Sequence, residues 1–194
     1  MTKSFGTPLF QPVSFQLAAG EGLFLAGRNG SGKTTLLDVI AGISKPDSGT
    51  VRCRARIGYV MQHGGFYDTL SCRDNLLLEA GLSGMSGKAA QASVQKASRL
   101  CGVEAFLQKP ISKCSGGMRT RAAIAAALIN EPGVLLLDEI FSHLDLSAQD
   151  EIKALLISLK EQGLALVVVS HQRDSYEGIC EQKLTLPDSK VSPI

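Results

Sequence analysis

Apolar residues along this chain alternate between two rhythms, and each rhythm predicts an element. From Val13 to Leu17 every second position is apolar, the period of a strand with one buried face. The turn Ala-Ala-Gly-Glu-Gly at 18 to 22 feeds a short apolar run, Leu23 to Ala26, that reads as a second strand. A glycine-rich stretch follows, and Thr34 to Ile40 takes up helical spacing. Beyond the turn Lys45-Pro-Asp-Ser-Gly49, strands are predicted at Thr50 to Cys53 and Ile57 to Met61, on either side of a basic patch.

From Leu70 the period lengthens. Leu76, Leu77, Leu78, Ala80, Val94, Ala97, Leu100 and Cys101 recur at helical spacing through Phe106. This predicts a small helical subdomain over 68–115 inserted in a core of 1–67 and 116–194, with Gly81 to Gly87 as a flexible loop between helices. After Cys114-Ser-Gly-Gly117 an Ala-rich helix runs to Asn130, and Glu131-Pro132 stops it ahead of a strand at Val134 to Leu137. A helix from Ser147 to Gln162 and strands at Leu164 to Val169 and Lys183 to Leu186 complete the set. Apolar strands alternating with helices indicate an α/β fold whose mostly parallel sheet is covered on both faces, here with an N-terminal antiparallel β region.

Composition narrows the function. With 194 residues, 44% hydrophobic and 20% charged, the chain suits one globular domain, 1–194. Its net charge of +2 is too small for a generic polyanion binder, so nucleic acid is not an expected partner. Apolar runs such as Val134 to Leu137 and Leu164 to Val169 fall far short of the ~20 residues of a membrane-spanning helix. Any membrane role must be borrowed from another chain. The start, Met-Thr-Lys-Ser-Phe-Gly, lacks the apolar core of an export signal. The five scattered cysteines form no CxxC pair, which argues against zinc or a disulfide framework and for a reducing cytoplasm.

Chemistry concentrates where strands end. Gly27, Arg28, Asn29, Gly30, Ser31, Gly32, Lys33 and Thr34 fit GxxxxGK[ST], after a predicted strand and opening a helix that continues with Thr35. In that setting backbone amides curl inward around phosphate oxygens and the helix N-terminus adds partial positive charge. Lys33 is expected to reach the β- and γ-phosphates of ATP, and the Thr34 hydroxyl to bind Mg²⁺. The strand from Val134 ends in Asp138 and Glu139, at the edge where open α/β sheets bind ligands. Asp138 suits magnesium through water, and Glu139 suits a general base or polariser of an attacking water.

Those two motifs are common to many phosphate-loop enzymes, and further residues narrow the family. Ser115, Gly116 and Gly117, between Cys114 and Met118, open a helix shortly before the Asp-Glu strand and resemble the LSGGQ signature of ABC ATPases. Gln62 looks like the Q-loop glutamine, Ser142-His-Leu-Asp145 resembles the SALD D-loop, and His171 matches the switch histidine. Phe5 stands near where that family carries an aromatic on adenine. Cys114 replaces Leu, Met118 replaces Gln, and Ile140 stands where many members have Pro.

The resemblance spans nearly the whole chain and implies an ATP-binding and ATP-hydrolysing subunit of an ABC transporter, acting beneath integral membrane subunits on the inner face of the cell membrane. Two such chains, identical or related, would face each other head to tail. Ser115, Gly116 and Gly117 would then cover the γ-phosphate of the partner's ATP. Gln62 would serve magnesium and the attacking water, Asp145 would connect the two sites, and His171 would hold the γ-phosphate and water. Likeness to short stand-alone ATPases points to export. The alternatives are a non-transport ABC ATPase and a phosphate-loop small-molecule kinase; the kinase leaves Ser115 to Gly117, Ser142 to Asp145 and His171 without a role.

Overall fold

A strand with neighbours on both sides and helices on both faces has no polar side, and Ala165–Val169 is buried at every residue. The computed structural model that defines this fold describes residues 1–62, 65–142, 144–170, 177–188 and 190–193, with Phe5, Thr7 and Pro8 described by their backbone alone. A two-residue pair, β1 (Ser4–Phe5) and β2 (Thr7–Pro8), precedes the main sheet. That sheet is built from β3 (Gly22–Gly27), β4 (Ile57–Val60), β5 (Val134–Asp138), β6 (Ala165–Val169), β7 (Gln182–Leu186) and β8 (Lys190–Pro193), in the order β4-β5-β6-β3-β7-β8. All neighbours run parallel except β8, which runs antiparallel to β7.

The strand pleat divides the core in two. Phe24, Leu135, Leu137, Leu166 and Val168 point into one cluster, while Leu23, Leu25, Leu136, Val167 and Val169 point into the other. Leu36 and Leu37 of helix α1 (Lys33–Ile40) fill the second cluster. The first is filled from α2 (Cys72–Leu82), α3 (Gly87–Cys101), α4 (Gly116–Leu128) and α5 (Leu146–Glu161). Helices α2, α3 and α4 pack against one another, and α4 and α5 against each other. Burial pushes the Cys72 thiol up to about 11 and those of Cys101 and Cys180 up to about 12, so each behaves as a small core hydrophobe.

The strands and helices match the sequence pattern closely in the middle of the chain and less well at its beginning. Neither Val13 to Leu17 nor Thr50 to Cys53 forms a strand. The predicted alternation survives as burial, with Val13, Phe15 and Leu17 turned inward and Ser14 and Gln16 exposed. What is missing is a ladder. Val13 exchanges hydrogen bonds with Met1 alone, at 2.9 and 2.7 Å, and Thr2 bridges Ser48. The expected antiparallel region is therefore reduced to β1, β2 and isolated bridges. The loop expected over Gly81 to Gly87 shrinks to 83–86, because α2 runs to Leu82 and Gly87 already opens α3. β8 has no sequence signature: its residues are all exposed, and backbone pairing to β7 makes the strand.

Burial without compensation has a cost inside α3. The Ser98 hydroxyl is fully buried and has no hydrogen-bond partner among the described residues. An unpaired buried hydroxyl costs about 1–3 kcal/mol, and Ala is the better helix former. Ser98→Ala should therefore raise unfolding stability by about 1 kcal/mol in denaturant titration; a loss would show that the hydroxyl is satisfied in solution.

Candidate functional site

The turn after β3 is a glycine-shaped loop. Gly30 and Gly32 adopt φ of 77° and 94°, a left-handed geometry that side chains resist, and Gly32 is the N-cap of α1. Close packing adds a second demand: a Cβ on Gly32 would lie 2.7 Å from Leu9 Cδ2 and 2.9 Å from Phe10 Cδ1. With no first-turn acid on α1, the helix start offers amides and positive dipole to an anion. Lys33 is buried and curls back over the loop, its Nζ donating to Gly27 O at 3.1 Å and Arg28 O at 3.2 Å. That ammonium stands ready for phosphate oxygens.

β5 delivers the carboxylates. Asp138, its last residue, is buried and accepts a hydrogen bond of 2.8 Å from Thr34 Oγ1. Glu139 follows with φ of 53°, a left-handed conformation that costs a non-glycine residue about 1–3 kcal/mol. The surroundings hold it there: its N–H donates to Val169 O at 3.0 Å, and its carbonyl accepts from Ser142 Oγ at 2.6 Å. This turn answers how consecutive acids from one strand can serve one site. The donor set fits magnesium, which takes one or two protein oxygens and completes its shell with water and phosphate. Thr34 and Asp138 could supply that pair. Burial pushes the Tyr59 phenol up, and the carboxylates of Asp138 and Asp38 push it further, a sign of negative potential around the acids.

Gln62, at the turn after β4, lines a cleft of about 440 Å³ with Glu139, Ser142, Asp68, Ile111 and Arg119. Glutamine and glutamate therefore share one space. The signature residues lie elsewhere. Ser115 caps α4, its hydroxyl accepting from Met118 N–H at 3.3 Å, and Asp145 caps α5, accepting from Ala148 N–H at 2.8 Å. Both helix starts border one cleft of about 360 Å³, which is lined by Ser115, Gly117 and Asp145 and by no residue of the 27–34 loop. Gly117 lets them approach, since a Cβ there would stand 3.0 Å from Ala148 Cβ. His171 and the Phe5 side chain lie outside what is described.

Sequence reasoning passed over Asn75, which is buried in α2, and Arg119, whose Nη2 lies 3.1 Å from Asp68 Oδ1. The signal for Asn75 was available: it lies among Cys72, Leu76 and Ala80 on the buried stripe of α2, where a polar side chain must have partners.

Comparison with known proteins shows the family. A family model described as ABC transporter matches residues 10–142. The O-antigen export system ATP-binding protein RfbB of Klebsiella pneumoniae is 30% identical over 185 residues, covering 95% of this chain and 75% of the relative. The taurine import ATP-binding protein TauB of Pseudomonas aeruginosa is 33% identical over 175 residues, covering 86% of this chain and 66% of the relative. Among solved structures, the dimeric ATP-binding cassette MJ0796 in a post-hydrolysis state with ADP and Pi is similar at a TM-score of 0.84 and 26% identity, covering 99% of this chain and 94% of that one.

The loop geometry generates a direct test. Gly32→Ala places a Cβ in a left-handed residue and against Leu9 and Phe10, so the amide cradle must shift. Nucleotide titration should show affinity reduced by about tenfold or more, the equivalent of 1.4 kcal/mol; unchanged affinity would mean that this turn does not shape the anion site.

Proposed function

Because this chain belongs to the ABC transporter family, as an ATP-binding and ATP-hydrolysing subunit, we propose that two copies, or one copy and a related subunit, close head to tail on ATP. Each phosphate loop then holds a nucleotide that the other chain's signature covers. The observation that carries this reading is the separation of the two half-sites. Lys33, Thr34, Asp138 and Glu139 gather at one place, while Ser115, Gly117 and Asp145 border a different cleft. A helix start with open amides suits an anion brought from outside.

In the closed pair Lys33 neutralises the β- and γ-phosphates while the loop residues Gly27 to Thr35 hold the rest of the chain of phosphates. Thr34, with Asp138 and Gln62, would hold magnesium, which would supply neutralisation of phosphate charge. Glu139 accepts a hydrogen bond from water and orients it in line with the γ-phosphorus; the water oxygen bonds to that phosphorus as the bond to the ADP oxygen breaks, its proton passes to the Glu139 carboxylate and on to solvent, and phosphate departs. His171 holds the γ-phosphate and that water, Asp145 links the two sites, and Phe5 stacks on adenine. Product formation removes charge that bridged the chains, so the pair opens.

Membrane subunits are the second kind of partner. A groove of about 520 Å³ is lined by Ile43, Met61, Tyr67 and Leu82, which are 65%, 54%, 59% and 77% exposed. Exposed apolar side chains around one concavity suit an apolar segment of another protein. Among the described residues no helix is long and apolar enough to cross a membrane; the reading assigns the conduit to that partner. On this reading the chain works at the cytoplasmic face of a membrane, with residues 68–115 as the helical subdomain inserted in the ATP-binding core. Export is the direction we favour, because the O-antigen export protein aligns over 95% of this chain against 86% for the taurine importer.

The shared site is tested by mixing two disabled chains. Lys33→Ala lacks the phosphate cation, and Gly117→Asp sets a negative charge on the signature and crowds Ala148. Each alone should be inactive, and the mixture should recover part of the ATP turnover by joining one intact loop to one intact signature. A mixture as dead as its components would overturn the head-to-tail reading. In a parallel measurement Glu139→Gln keeps ATP binding while turnover falls by about 10²- to 10⁴-fold, and light scattering follows its ATP-driven dimerisation. Near-native turnover would remove Glu139 from its role.

A further inference from the structure

Between Gln62 and α2 the chain crosses the cleft as a strap, residues 65–71, and the strap has no regular secondary structure to hold it. One side chain supplies four of the hydrogen bonds that order it. Asn75 Oδ1 accepts from Tyr67 N–H at 2.8 Å, and Nδ2 faces the carbonyls of Tyr67 at 3.1 Å, Leu70 at 3.4 Å and Ser71 at 2.9 Å. An amide is the only small uncharged side chain that carries both an acceptor and two donors, and here it answers both polar groups of Tyr67. Asn75 is 3% exposed, so these partners are hard to replace with bulk water.

The strap in turn is laced to the segment that delivers the signature. Ser112 N–H donates to Asp68 O at 2.9 Å, Ile111 N–H to Leu70 O at 3.1 Å, and Cys72 N–H to Lys109 O at 3.0 Å. Ser71 and Pro110 form a β-bridge. Asp68 also pairs with Arg119 of α4, the helix that Ser115 caps. Phe66 and Asp68 of the strap and Ile111 and Arg119 of this delivery segment wall the cleft that contains Gln62 and Glu139.

We propose that Asn75 is a positioning residue that clasps this strap, making the cleft wall beside Gln62 and the loop leading to Ser115 one body, so that nucleotide-driven movement at one half-site carries the chain's own signature toward the partner's nucleotide. The proposal rests on the two-copy reading above. Asn75 touches no part of the phosphate loop, whose anion-binding groups stand on β3 and α1. Its loss therefore separates binding from turnover: ATP still enters, and the signature arrives misplaced.

The test compares Asn75→Ala with Asn75→Asp in the full chain. Asn75 lines the wall of the groove, and the folded fraction of each variant is measured alongside by denaturant titration. Asp keeps the acceptor for Tyr67 N–H but turns an oxygen toward three carbonyls, so it should be the more damaging variant. The expected result is ATP affinity within about twofold of native, with kcat reduced by about tenfold or more, as a misplacement near 1 Å produces. ATP-driven dimerisation in a Glu139→Gln background should weaken in the same order. Native kcat in Asn75→Ala overturns the proposal. So does a parallel loss of ATP affinity and kcat in step with the folded fraction, the mark of a purely structural role. If the Asp variant does not fold, the Ala variant decides alone. A failed Lys33→Ala and Gly117→Asp mixture removes the two-copy reading and this proposal with it, whereas a recovered mixture beside native kcat in Asn75→Ala overturns the clasp alone.

Discussion

A buried carboxylate must be satisfied, and in this chain Asp138 meets that demand through Thr34, across a 2.8 Å hydrogen bond from the end of β5 to the first turn of α1. Much else depends on that junction. It requires β5 to stop where α1 begins, which the parallel sheet provides by ending all its central strands on one edge. It also leaves Glu139 at the first position free to turn, and the left-handed φ of 53° is the cost of aiming a second acid from the same strand. Val169, at the end of the neighbouring β6, and Ser142 hold that turn by hydrogen bonds to the Glu139 backbone. The strain is local, and the rigid sheet absorbs it.

The same economy of helix starts and capping residues builds the other half-site. Ser115 and Asp145 each satisfy an amide of their own helix, which fixes the direction of α4 and α5 and leaves further amides of each first turn open. The start of α4, capped by a neutral hydroxyl, keeps its partial positive charge and suits an external anion, while the Asp145 carboxylate offsets that of α5. Arg121 reinforces the pair by joining the Cys101 carbonyl to Glu151 at 3.3 and 2.6 Å, tying α3, α4 and α5 together beneath the cleft. Met118, which cannot donate from its side chain, still contributes its backbone N–H to the Ser115 cap, so the departure from the usual polar residue leaves this helix start intact.

The segment 65–71 has neither helix nor strand, and the Asn75 side chain bonds to its backbone at Tyr67, Leu70 and Ser71. The proposed coupling requires such a connection to be stiffer than what it links, and four contacts from one buried amide, with further backbone bonds to 109–112, favour that. The exposed Asp68–Arg119 pair adds little energy of its own, since solvent screens it.

What the sequence determined by itself is the part of the molecule whose physics is local. The phosphate loop was legible because positive φ and close packing at Gly32 demand glycine, and because Lys33 and Thr34 follow at fixed helical positions. The sheet was legible because strands buried on both faces leave continuous apolar runs, as at 134–137 and 165–169. Tertiary structure decided the rest. Val13 to Leu17 and Thr50 to Cys53 have strand pattern without strand, because a ladder needs a partner in register and alternation specifies only which face is buried. β8 is the converse, a strand made by β7 out of residues with no pattern. The joining of Thr34 to Asp138, the turn at Glu139 and the clasp at Asn75 each depend on groups far apart in the chain or on backbone angles that no residue type dictates, and only the folded sheet brings them within reach.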